Sequence, residues 1–143
     1  MDAANRLNRR VVRFVGKAEA RRLARAIGVG AAGSLAEFLD FVNAGRELYV
    51  TDEALEMDLE SVDDRHYSVS VGNCFVADNV RAAGVSEAYE CAVFDRLHGW
   101  HDALGLPLTD DLLPAEKCLR AEGWACVRVL EAIPGVKASG MRR

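Results

Sequence analysis

Apolar residues recur at helical spacing from the start of the chain: Leu7, Val11, Phe14 and Val15, then Ala20, Leu23, Ala24 and Ile27. Gly16 either separates two helices here or sits within one long one. Gly28, Gly30 and Gly33 follow in the G-x-G-x-x-G spacing of a dinucleotide fingerprint. They come after a helix rather than a strand, so they read as a helix stop and a turn. Ser34 and Glu37 have the spacing of a capping box, in which the hydroxyl accepts the Glu37 amide and the carboxylate reaches back to the Ser34 amide. Leu35, Phe38, Leu39 and Val42 give the next helix its apolar face, and Gly45 is its expected stop.

The period then changes from helical to alternating. Leu55, Met57 and Leu59 alternate with Glu56, Asp58 and Glu60, and Tyr67, Val69 and Val71 alternate again after the turn residues Asp63 and Asp64. That is a hairpin. Residues 74–83 predict a short helix ended by Gly84. Residues 88–104 predict a longer one, with Val93, Leu97, Trp100 and Leu104 on one face and Gly105 as its stop. Residues 119–121 and 124–130 predict a second hairpin turning at Glu122 and Gly123. The expected fold is α+β: N-terminal helices, then hairpin, helices and hairpin, with the helices packed on one antiparallel sheet. One domain spans residues 1–133, helical over 1–45 and cysteine-containing over 46–133, with a flexible tail at 134–143.

Composition narrows the class. The chain has 143 residues, half of them hydrophobic and 28% charged, which suits one domain with a real core. No apolar run reaches the roughly 20 residues of a membrane span, and no apolar segment marks a secretory signal, so a cytoplasmic protein with no membrane partner is expected. The net charge of -4 is unevenly spread. Residues 1–28 carry Arg6, Arg9, Arg10, Arg13, Lys17, Arg21, Arg22 and Arg25 against Asp2 and Glu19, while the rest of the chain is acidic. No nucleic-acid motif accompanies these bases, and the acidic remainder repels phosphate, so nucleic acid is not the expected partner. The basic face is expected to pair with the acidic body of its own fold or of a partner subunit, and the N-terminal helices offer a homodimer contact.

The candidate chemistry lies in Cys74, Cys91, Cys118 and Cys126. A reducing compartment keeps such thiols free. Each alone reads as a small buried hydrophobe; together they suggest a metal site. On a helix through 88–104, Cys91 shares a stripe with Asp95, His98 and Asp102, opposite the apolar face. Across a three-residue hairpin loop, Cys118 and Cys126 stand opposite each other with Cβ atoms roughly 5 Å apart. Cys74 falls at a helix N-terminus, where the dipole favours thiolate. Four thiolates suit tetrahedral zinc or an iron–sulfur cluster, and the irregular spacing does not choose between them.

The stretches NCFVADNVRAAG, YECAVFDRLHGWHDALG and EKCLRAEGWACVRVLEA, within residues 72–132, resemble small proteins of the L-2-amino-thiazoline-4-carboxylate hydrolase-like family. Cys91, Gly99-Trp100, Cys118, Gly123 and Cys126 are also similar to the end of 4-vinyl-reductase domains. The second resemblance implies zinc held by cysteines and a nearby glutamate in an effector-sensing dimer. Glu116 lies two rather than three residues before Cys118, out of register with that glutamate, which leaves Cys74 as the fourth ligand. The first implies a hydrolase with Cys91 or a metal-bound water as nucleophile and His98 as base. A small-molecule pocket between sheet and helices would be lined by Phe94, Trp100 and Trp124, with Phe75 and His98 beside it.

Overall fold

The computed structural model describes residues 2–49, 53–110, 113 and 116–133. The tail expected at 134–143 lies outside them. The elements run α1 (Asp2–Ile27), α2 (Leu35–Tyr49), β1 (Leu55–Ser61), β2 (His66–Cys74), α3 (Phe75–Ala83), α4 (Val93–Leu104) and β3 (Cys126–Glu131). The strands form one antiparallel sheet in the order β1-β2-β3, and helices pack against it, so the α+β class is as expected.

The first hairpin forms as its alternation predicts. Leu59 pairs with Val69 and Met57 with Val71, and Tyr67, Val69 and Val71 face the core. Asp63 closes the turn, its Oδ1 accepting the amides of Arg65 at 2.8 Å and His66 at 2.7 Å. The capping box also forms, with one change. Ser34 Oγ accepts the Glu37 amide at 3.2 Å, but the Glu37 carboxylate reaches the amide of Gly33 at 2.6 Å rather than that of Ser34.

The second hairpin does not form. Residues 119–123 close into turns, with the Glu122 amide donating to the Cys118 carbonyl at 3.2 Å and the Trp124 amide to the Leu119 carbonyl at 2.9 Å. Arg81 of α3 clamps this turn by donating to the Arg120 carbonyl at 2.6 Å. Only β3 remains a strand, and it pairs along β2 from His66↔Glu131 to Val71↔Cys126. The free edge of β2 offers a longer ladder than three local residues could, and it buries Cys126 and Leu130 at the same time.

Gly45 does not stop α2. It lies inside the helix, where a Cβ would collide with Leu23 and Trp100, so its smallness serves packing. Gly16 likewise sits within a continuous α1. A Cβ there would run into the Arg96 carbonyl, and one on Gly99 would meet the backbone of Arg13 and Lys17. The two glycines let α1 and α4 cross with backbones touching.

This crossing turns the N-terminal half of α1 inside out. Its inward face is polar. Asn5 is buried and donates to the Ala88 carbonyl at 2.8 Å, Arg9 pairs with Asp95 at 2.8 Å, and Arg13 pairs with Asp102 at 2.7 Å. Arg96 of α4 returns the pattern by donating to Glu19 at 2.9 Å. The expected pairing of basic helix with acidic body is therefore realised within the chain for Arg9 and Arg13. Leu7, Val11, Phe14 and Val15 face outward, from 46% to 71% exposed, whereas Ala20, Leu23 and Ala24 one to two turns later are buried.

Candidate metal centre

The four cysteines come from four different places and line one cavity of about 20 Å³. Cys74 ends β2 opposite Leu55 and stands at the N-cap of α3 in an extended conformation. Cys126 begins β3 opposite Val71 and points to the inner face of the sheet. Cys91 and Cys118 are carried on two irregular segments zipped together. Glu90 bridges Lys117, the Cys91 amide donates to the Glu116 carbonyl at 2.8 Å, and Lys117 Nζ reaches Glu87 at 2.6 Å. Asn5 fixes the same stretch to α1, its side-chain oxygen accepting the Glu90 amide at 3.2 Å.

The geometry departs from two expectations. Cys91 is not on a helical stripe with Asp95, His98 and Asp102, because α4 begins only at Val93. The polar stripe is real but belongs to the α1 contact, where Asp95 and Asp102 take Arg9 and Arg13. Cys118 and Cys126 do not oppose each other across a hairpin. They reach the same cavity from a turn segment and a strand.

All four thiols are free, and three are buried; Cys91 is half-buried. Burial pushes the Cys91 thiol up to about 11, with Cys118 and Cys126 opposing its ionisation and Arg128 favouring it. Cys126 is raised for the same reasons, burial first and then Cys118 and Cys74. Among the described residues, no three His, Cys, Asp or Glu side chains are already set in metal-ligand geometry.

The charged neighbour missed from the sequence is Arg128. It lies on the inner face of the sheet, 4.4 Å over the Phe94 ring, and lines the cavity. Its guanidinium takes the Glu116 carboxylate at 2.8 Å. That pairing commits Glu116 to the arginine. Strand parity contained the signal, since Cys126, Arg128 and Leu130 must share a face.

The remaining candidates do not converge on one pocket. Phe94 lines the cysteine cavity, but Trp100 is buried edge-on against Phe41, 5.6 Å between centroids. Trp124 is 69% exposed. Phe75 lines a separate open groove of about 570 Å³ between α1, α3 and α4. His98 is buried within α4 and does not line the cysteine cavity.

A second polar cluster lies near the other end of α4. His101 is buried, stacked on Phe38 at 3.9 Å, and held at both ring nitrogens. Nδ1–H donates to the Leu106 carbonyl at 2.8 Å, so Nε2 accepts the Tyr67 hydroxyl at 2.8 Å. Burial holds this imidazole neutral, with its pKa down at about 3, and raises that of Tyr67 well above the usual phenol value.

Compared with protein-family models, curated proteins and solved structures, the chain finds no match.

Proposed function

We propose that this is a small metal-binding protein in which Cys74, Cys91, Cys118 and Cys126 hold one zinc ion, in a structural or sensing role. The observation that carries this reading is that four cysteines from four separate elements line one cavity. Its volume of about 20 Å³ is that of one water or one ion. This favours zinc over an iron–sulfur cluster, which would need the walls to part.

The surroundings suit a thiolate centre. Zinc with four thiolates carries a double negative charge, and the largely buried Arg128 on the cavity wall offsets part of it. Arg128 already favours the ionised form of Cys91. Because the sulfurs are not yet in ligand geometry, the ion would draw them together. Cys118 sits in an irregular segment that can follow. Binding would displace the thiol protons, so affinity rises with pH.

A closed four-sulfur site has no open position for a water nucleophile. The hydrolase reading would also need a base beside Cys91. His98, the base expected from the sequence, is buried within α4 and does not line the cysteine cavity, and Glu116 is engaged by Arg128. Zinc would add a tie between Cys118, Cys126, the end of β2 and the segment just before α4.

Protein purified under reducing conditions without chelators should contain about one zinc per chain and be colourless. Iron with a visible absorption band would replace zinc by a cluster. Metal-free protein that gains no stability from added zinc would sink the reading.

A further inference from the structure

The outward half of α1 carries a second feature, independent of the cysteines. Leu7, Val11, Phe14 and Val15 stand at i, i+4, i+7 and i+8, which is one face of a helix. They are 62%, 50%, 71% and 46% exposed. The opposite face of the same turns is already occupied by the contacts of Asn5, Arg9 and Arg13 with the body. Among the described residues, the helix's own orientation turns these four apolar side chains away from the face that packs on the body. Beside them runs the open groove of about 570 Å³, walled by Val12, Val15, Val76, Tyr89 and Val93, with Phe75 at its edge, 50% exposed.

We infer that this face is the interface of a homodimer, in which α1 packs against α1 of a second copy and each Phe14 seats over the groove of the other. Two observations select a second copy as the occupant. One helix carries both parts: the exposed ring of Phe14 projects from it, and its Val12 and Val15 wall the groove. A two-fold contact needs that arrangement, because one surface must supply both the knob and the hole. The area also matches. The four stripe residues and Phe75 expose on the order of 500 Å² of apolar surface, judged from aromatic side chains of roughly 150–250 Å² each. A standard interface buries about 800 Å² per partner, somewhat over half of it apolar. The exposed bases Arg6 and Arg10 lie to one side of the stripe and would form its polar rim.

A membrane surface would also accept an apolar stripe flanked by arginines. It would supply no knob for the groove, and it would have to sit beside an acidic body.

Sedimentation or light scattering on the full chain distinguishes these. The expected result is a dimer at micromolar concentration, unchanged by a zinc chelator strong enough to strip the protein. Phe14→Glu should weaken it by about 100-fold or more, because a central aromatic anchor is lost from both copies. Val11→Glu should act in the same direction. Phe14 is mostly exposed, so both variants should keep the far-ultraviolet spectrum and the unfolding midpoint of the dissociated chain. A monomeric wild type, a dimer indifferent to both substitutions, or a dimer dissolved by the chelator would overturn the inference. So would a monomer that sediments with phosphatidylserine vesicles and loses that binding in Phe14→Glu.

Discussion

The fold buries two polar clusters near opposite ends of α4, and they are built on opposite principles. Around His101 both ring nitrogens are matched: Tyr67 donates to one, the Leu106 carbonyl accepts from the other, and Phe38 covers the ring. Nothing remains there for a ligand to do. Around Cys91 the arrangement faces inward on a space instead, with four thiols and a cation on one small cavity. A buried network with every group satisfied specifies packing. A convergence of soft donors beside a positive charge has the composition of a binding site. Burial alone does not separate the two, since His101 and Cys118 are buried to similar extents; what separates them is where the polar atoms point.

The two clusters should respond differently to substitution. Replacing Cys74 or Cys126 by serine should reduce bound zinc from about one per chain to a trace and lower the melting temperature by about 10 °C or more, because the ion's binding energy is also folding energy. His101→Ala should destabilise the chain by about 3 kcal/mol through a lost stacked ring and an orphaned Tyr67 hydroxyl, while the zinc content stays the same. Elemental analysis and denaturant unfolding on both sets test the contrast. If His101→Ala strips the metal, the clusters are coupled and the division fails.

A smaller effect should come from pH. His101 is folded as the neutral imidazole with a pKa near 3, and it titrates near 6.5 when unfolded. Its contribution is therefore fully present above pH 6.5 and is lost as pH falls toward 3, where the unfolded chain binds the extra proton. Between pH 7 and pH 4.5 the loss should be about 2–3 kcal/mol. His101→Gln should flatten that part of the stability profile, as measured by urea unfolding at several pH values. An unchanged slope would mean that another group sets the acid limb.

The smallest effect is expected at Glu116. Its carboxylate is held by Arg128 and is partly exposed, so Glu116→Ala should change zinc affinity by less than about threefold, in line with a solvent-screened pair. A competition assay with a coloured chelator reads this directly. Complete loss of metal in Glu116→Ala, with retention in Cys74→Ser, would make the glutamate the fourth ligand and Cys74 a packing residue.

The sequence alone determined the elements whose signals are local. Alternation around Asp63 fixes the first hairpin, Gly84 and Gly105 end α3 and α4 with positive φ, and Ser34 and Glu37 start α2. Residue type and number also identified the four cysteines as the candidate chemistry, but periodicity assigned Cys91 to a helix and Cys118 to a strand that do not contain them. Those residues are placed by contacts between segments distant in sequence, Glu90 with Lys117 and Arg81 with Arg120, which no local pattern encodes. Tertiary structure likewise decided which face of α1 is inside. A helical spacing of Leu7, Val11, Phe14 and Val15 specifies that they share a face; it does not say which way that face points. The orientation was set by the glycine crossing at Gly16 and Gly99 and by the pairs Arg9–Asp95 and Arg13–Asp102, because two backbones in contact leave the helix only one rotation that also pairs the buried charges.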